Sequence, residues 1–270
     1  EWNPPGHGAI YTAMITSGIL DALLDKGYNY AFISNSDNLG AIMNRRLLGY
    51  MVHHKLPFLM EVARRTEQDK KGGHLCRLKK NRQLALREVA QCPDQEMDSF
   101  CDIGKYRFFN TNSIWVDLRV LQSVFVSHRM MPLDLIINPK TLDPRDPDSP
   151  KVFQLETAMG SAITNFLNAQ AVIVPRKRFA PVKTTNDLLL VMSDCFIRTE
   201  RDTIVPNPLR EGDMPEVSLD GKFFKKIDAF LARFPQNPPS LLDCASLKVE
   251  GDVRFEEGVR CVGDVRVVNR

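Results

Sequence analysis

Apolar side chains recur after His7 at Ile10, Met14, Ile15, Ile19, Ala22 and Leu23, the spacing of one helix face. Gly27 stands where such a helix stops, since glycine enters the left-handed C-terminal conformation without strain. Residues 28–33 are a short β-rich run and predict a buried strand. The polar turn Ser34-Asn35-Ser36-Asp37-Asn38 separates it from a second helical pattern over 39–53, and 56–62 reads again as a strand. Further strands are predicted over 106–109, 152–155 and 171–174, and helices over 117–127, 157–167 and 186–196. This rhythm predicts an α/β fold in which helices cover both faces of a sheet.

Past residue 200 prolines accumulate, at Pro206, Pro208, Pro215, Pro235, Pro238 and Pro239, and the periodicity weakens. Residues 201–245 are expected to be a linker region, with room for one helix over 223–234. Then the period changes. Leu247, Val253, Val259 and Val265 are six residues apart, and so are Val249, Phe255, Cys261 and Val267. Two interleaved rows of that period predict the hexapeptide repeat of a parallel β-helix over 246–270, with ordinary hairpins as the alternative. One coil cannot bury its own apolar face, and no strand precedes the turn at Pro4. The chain is therefore expected to be a piece of a larger protein.

At 270 residues, 43% hydrophobic and 26% charged, the chain can hold one large domain (1–200) and a smaller unit. A net charge of +3 on 36 basic and 33 acidic residues argues against a nucleic-acid partner. Arg176-Lys177-Arg178 reads first as a solvated turn, with a role near an anionic ligand as the alternative. No run of 18 apolar residues occurs, so no membrane partner is expected and a cytoplasmic location is. Cys76, Cys92, Cys101, Cys195, Cys244 and Cys261 form no CxxC pair and read as reduced, structural thiols. The five histidines lack the i, i+4 spacing of a zinc helix.

Candidate chemistry gathers at the turns. Gly6 and Gly8 allow a close backbone approach around His7, and the helix that follows would point free N–H groups at an anionic or sugar ligand. An ordinary turn with an exposed histidine would use the same residues. Asn35 and Asp37 are two positions apart beyond a strand, where an Asp suits Mg²⁺ or simply caps a helix. Lys70-Lys71-Gly72-Gly73-His74 joins cations to a flexible glycine pair. Asn110 and Asn112 offer amides to hydroxyls or to their own turn. Glu156 could accept from hydroxyls, and Lys183, just before a helix, would suit a transferring phosphoryl group.

Together these segments closely resemble the UTP–glucose-1-phosphate uridylyltransferases, also called UDP-glucose pyrophosphorylases. The phrases are Pro-Pro-Gly-His-Gly, Ser-Asn-Ser-Asp-Asn-Leu-Gly-Ala, Asp-Lys-Lys-Gly-Gly-His-Leu, Phe-Asn-Thr-Asn, Gln-Leu-Glu-Thr-Ala-Met-Gly and Pro-Val-Lys-Thr-Thr-Asn-Asp-Leu-Leu, within 3–11, 33–41, 60–75, 108–115 and 154–192. The resemblance implies a Rossmann-like, GT-A-like nucleotidyltransferase domain with a mixed sheet, then the start of a left-handed parallel β-helix. It implies Mg²⁺-dependent uridylyl transfer from UTP to glucose-1-phosphate. Gly6 and Asn35 would meet the nucleotide, Asp37 the nucleotide and Mg²⁺, and His7 the sugar phosphate. Asn110, Asn112, Glu156 and Gly73 would line the sugar, and Lys183 would be the catalytic lysine.

Ala9, Thr12 and Ser113 depart from the family's usual residues, and no glycine-rich nucleotide loop is found. The chain alone is therefore expected to be inactive, with oligomerisation possible through the β-helix that the truncated tail mostly lacks. A broad-specificity UDP-sugar pyrophosphorylase and a non-catalytic sugar-phosphate-binding fragment are the alternatives.

Overall fold

Two units divide the chain: Glu1–Asn35 with Met43–Arg176, and Ser36–Ile42 with Lys177–Arg270. The computed structural model describes residues 4–143, 146–200 and 203–270, apart from the side chain of Gln68. Asn3 of the first resembling segment, 3–11, and residues 201–202 of the expected linker lie outside these.

The first unit runs α1 (Ala9–Thr16), α2 (Ile19–Asp25), β1 (Tyr30–Ile33), α3 (Arg45–His53), β2 (Phe58–Arg64), β3 (His74–Arg77), β4 (Leu84–Arg87), α4 (Met97–Cys101), β5 (Phe108–Asp117), α5 (Leu118–His128), β6 (Leu135–Thr141), β7 (Lys151–Thr157) and β8 (Gln170–Ile173). Its Rossmann-like sheet has the order β4-β3-β5-β2-β8, with β1 also paired to β5. It is mixed: β2 and β8 are parallel, and the other pairs antiparallel. Side chains alternate across a strand, so Phe58, Met60 and Val62 pack with Tyr11, Leu20, Leu121 and Phe166. Leu59 and Trp115 pack instead with Met51 of α3. Both faces are thus covered by helices, as the alternating pattern predicts.

Local chemistry sets several boundaries. Asp117 caps α5 by accepting from Arg119 N and Val120 N, and Asn44 caps α3 by accepting from Arg46 N. The single helix expected over 10–23 is broken into α1 and α2 at Gly18, which has φ +73°. The helix expected from Leu39 begins only at Arg45, because residues 36–42 pack along a distant segment of the second unit. The 152–155 run is a strand outside the main sheet. It pairs with β6, a strand not predicted, in a two-stranded ribbon. The helix expected over 157–167 is a 3₁₀ segment, Met159–Asn165, in which Ser161 Oγ donates to Ala158 O.

His74 opens β3, fully buried against the rings of Tyr106 (centroids 3.9 Å apart) and Phe100 (4.5 Å). Neither ring nitrogen finds a hydrogen-bond partner among the described residues. Burial first, then the charges of Arg65, Arg87 and Lys105, lowers its pKa from 6.5 to about 4. Between those values the unfolded chain binds a proton that the folded chain refuses. Stability from this group is complete above pH 6.5 and falls as pH drops toward 4. Replacing His74 by Phe should flatten that loss. Urea midpoints at about pH 7 and about pH 4.5 should show wild type losing on the order of 2 kcal/mol more than the variant. Equal losses would refute the assignment.

The second unit contains α6 (Thr185–Met192), β9 (Phe196–Arg198), β10 (Ile204–Pro206), β11 (Glu216–Leu219), α7 (Gly221–Phe224), α8 (Ile227–Arg233), β12 (Ser240–Glu250) and β13 (Arg260–Val268). The proline-rich stretch expected as a linker supplies Phe224, Phe230 and Phe234 to its core, beside Leu189, Leu247 and Phe255. The one helix expected over 223–234 is two short ones, α7 and α8. Strands β11, β12 and β13 form a parallel sheet in which Leu247 pairs with Val265 and Val249 with Val267. Cys195, Cys244 and Cys261 are free and buried in this unit. Burial raises the pKa of each, which keeps the thiols protonated and inert.

Candidate functional site

The turn Pro4-Pro5-Gly6-His7-Gly8 is laid along the end of β7. Thr157 N donates to Pro5 O (2.9 Å), Gly8 N donates to Thr157 O (2.8 Å), and Gln154 Nε2 donates to Pro4 O (3.0 Å). Gly6 has φ +82°, and a Cβ there would stand 2.5 Å from Thr157 O. At Gly8 a Cβ would meet Thr157 Oγ1 at 2.6 Å. Both glycines are therefore required by the approach of two backbones. Glu156 packs under Gly6 through its Cβ, while its Oε2 accepts from Asn138 Nδ2 (3.0 Å) on β6. The helix α1 does start here, but Gly8, Ala9 and Ile10 donate to Thr157 O, Gly6 O and His7 O. Those amides hold the turn, which corrects the expectation that they point free at a ligand.

His7 Nδ1 accepts from Met159 N (2.9 Å). The next residue, Gly160, abuts the Asn110 amide: a Cβ there would be 2.5 Å from Asn110 Nδ2 and 2.7 Å from Leu86 Cδ2. Asn110 Nδ2 donates to Asn112 Oδ1 (2.7 Å), and Asn112 N donates to Asn110 Oδ1 (2.9 Å). Asn112 has φ +56°, the left-handed region that Asn tolerates best among residues with a side chain. Asn110 N also approaches Gly73 O (3.4 Å). A Cβ on Gly73 would lie 2.4 Å from Glu88 Oε2. His7, Met159, Gly160, Asn110, Asn112, Gly73 and Glu88 are thus contiguous within the first unit.

Glu88 went unrecognised in the sequence. It follows β4, is half-buried, and burial raises its pKa. The usable signal was an acid two residues beyond the apolar run Leu84-Ala85-Leu86, after Arg87, a weak one without the fold.

The boundary between units passes through the Ser34–Asn38 turn, so Asn35 belongs to the first and Asp37 to the second. Within the second unit Asp37 O accepts from Val182 N (2.9 Å), and Asn38 forms a bridge with Pro181. Asn38 Nδ2 donates to Arg178 O (3.1 Å) and its Oδ1 accepts from Ala180 N (2.9 Å). Gly40 has no Cβ to strike Lys177 O, which would lie 2.5 Å away. These contacts place Asp37 next to Val182 and hence one residue from Lys183. Lys183 N donates to Asp187 Oδ2 (2.9 Å), part of the Thr184–Asp187 capping box of α6. The cap fixes the lysine backbone while its side chain stays exposed.

Arg176 and Lys177 of the 176–178 run are exposed, as a solvated turn predicts, but both arginines are engaged. Arg176 grips Asp69 with two nitrogens, and Arg178 Nη2 donates to Ile42 O (2.8 Å). Among the described residues no group of three or more His, Cys, Asp or Glu could hold a metal ion, and no helix is long and apolar enough to cross a membrane.

A family model described as UTP–glucose-1-phosphate uridylyltransferase matches residues 1–261. The enzyme of that name from Solanum tuberosum is 44% identical over 267 residues, 98% of this chain and 54% of its own. A point mutant of UDP-glucose pyrophosphorylase from Leishmania major superposes with TM-score 0.88 at 47% identity, covering 100% of this chain and 58% of that one. Another mutant of the same protein, in complex with UDP-glucose, gives 0.83 at 48%, covering 98% and 58%. The chain spans about half the length of the curated relatives it matches.

Proposed function

Because the chain belongs to the UTP–glucose-1-phosphate uridylyltransferase family, we propose that it takes part in transferring a uridylyl group from UTP to glucose-1-phosphate, giving UDP-glucose and pyrophosphate. The observation that carries this reading is the Met159–Gly160 link. It ties His7, a donor for a phosphate, to the locked amides of Asn110 and Asn112, which suit sugar hydroxyls. The Glu88 carboxyl, packed against Gly73, continues the same run of contacts. Glu156 is assigned to the sugar as well, and its Cβ packs beside Gly6.

A phosphate oxygen of glucose-1-phosphate attacks the α-phosphorus of UTP in line, and the bond to pyrophosphate breaks. No enzyme nucleophile is needed, so positioning and charge neutralisation carry the rate. Gly6 and Asn35 are assigned to the nucleotide. In the second unit Lys183 neutralises phosphate charge. Asp37 fits Mg²⁺, which is commonly held by one or two carboxylates together with phosphate oxygens and water, and which would offset charge on the same phosphates. The parallel strands β11, β12 and β13, in which Leu247 pairs with Val265 and Val249 with Val267, each three hexapeptides further on, support the start of a β-helix.

Turnover with glucose-, galactose- and N-acetylglucosamine-1-phosphate tests the reading. Glucose-1-phosphate should be the preferred substrate, and Glu88→Gln should raise its KM about tenfold with little change in the KM for UTP. Equal rates for the three sugars would refute the glucose assignment.

A further inference from the structure

Resting on the sugar-site reading above, we propose that Arg176 is a positioning residue for the sugar-facing glycine loop, acting through Asp69. Asp69 closes a small 3₁₀ turn, Glu67–Asp69, with its Oδ2 accepting from Thr66 N (2.9 Å) and Thr66 Oγ1 (2.7 Å). Arg176 meets the same carboxylate as a fork: Nη1 donates to Oδ2 at 2.7 Å and Nη2 to Oδ1 at 3.1 Å. A bidentate pair of this kind fixes orientation as well as distance, which a lysine cannot do. The guanidinium also lies over the Phe109 ring, 5.0 Å from its centroid, and Phe109 is the register partner of His74.

The loop is held from its other side by Arg65, which is buried. Its nitrogens donate to the carbonyls of Asp69, Lys70, Phe100 and Tyr106. Asp69 O in turn accepts from Gly72 N (2.9 Å), one residue before Gly73. Arg176 thus ties the segment after β8 to a loop that reaches Gly73 in four residues, and to the strand that carries Asn110. Burial alone would push the Asp69 carboxyl up, yet the hydrogen bonds from Arg176 and Thr66 hold it below the usual carboxylate range. The pair therefore stays charged at neutral pH.

Neither Asp69 nor Arg176 is assigned a contact with substrate, so the expected signature is selective. Arg176→Met and Asp69→Asn should each weaken glucose-1-phosphate binding about tenfold by calorimetry, with UTP affinity within about twofold of wild type. The double variant should lose clearly less than the sum of the two single losses, because each change removes the same Arg176–Asp69 contact. Arg176→Lys should recover only part of the affinity. Amide exchange at Gly72, Gly73 and His74 should accelerate in the variants.

Unchanged glucose-1-phosphate affinity in folded variants would overturn the proposal, and so would equal losses for both ligands. Should Arg176→Met not fold, Arg176→Lys and Asp69→Asn test the same contact by the same titrations. If the wild-type protein binds no glucose-1-phosphate, the sugar-site reading itself has failed, a different result from a variant that binds as well as wild type.

Discussion

In protein competent for uridylyl transfer, replacing Lys183 by alanine is expected to lower turnover on the order of a thousandfold, with glucose-1-phosphate affinity changing far less. The transition state of phosphoryl-type transfer spreads negative charge over oxygens that no covalent step relieves. Preorganised positive charge at such oxygens is commonly worth a factor of about 10²–10³ in rate. Lys183 is the residue proposed for that part. Its backbone N–H is committed to Asp187 in the capping box of α6, so the lysine is presented from a fixed point. Val182 N, one residue earlier, donates to the backbone carbonyl of Asp37, which brings the two chain segments together within one unit. Lys183→Arg should keep part of the rate, because charge survives while the compact ammonium does not. Steady-state kinetics decide it: a Lys183→Ala protein with wild-type turnover would falsify the assignment.

Gly6→Ala is expected to destabilise the first unit by about 2–4 kcal/mol and to abolish measurable glucose-1-phosphate binding. Two costs combine there. The backbone has φ +82°, where an L side chain is strained, and the new Cβ would lie 2.5 Å from Thr157 O and 2.9 Å from Thr157 N. These are backbone atoms of a paired strand, so they cannot swing aside as a flexible side chain would. The turn would have to peel from β7, breaking the bonds between Pro5, Gly8 and Thr157 and withdrawing His7 from Met159. Gly18→Ala is the internal control. Gly18 also has a positive φ, +73°, but an added Cβ meets nothing within 4 Å. That variant should lose only about 1 kcal/mol and bind normally. Matched denaturation curves with calorimetric titrations would show the contrast, and equal effects at the two glycines would remove close approach as the reason for Gly6.

Much of the local structure was legible before the fold. Thr184 and Asp187 announce the start of α6, because a capping box needs only neighbours in sequence. Asp117 announces α5 in the same way. The alternation of Leu59 and Met60 shows a strand buried on both faces, although not which helices cover it. What failed was every inference in which a distant segment competes with local propensity. Residues 39–44 carry a helical pattern, yet Asn38 commits its amide to Arg178 and Ala180, and Gly40 lies against Lys177. The 157–167 run likewise continues from a strand end already bonded to Pro5 and Gly8.

The site divides along the same line. Sequence alone nominated the residues proposed to carry the chemistry: two backbone-permissive turns, a lysine before a capped helix, paired asparagines and an acid beyond a strand. Their residue types and short spacings are local properties, and motif order across the chain is enough to identify the family. Only the tertiary structure decided which of them meet. It joined His7 to Asn110 through Met159 and Gly160, placed Glu88 against Gly73, packed Glu156 Cβ beside Gly6, and gave Arg176 to Asp69. Those contacts span up to 152 residues of chain, and hydrophobic periodicity says which face is buried but not what will bury it.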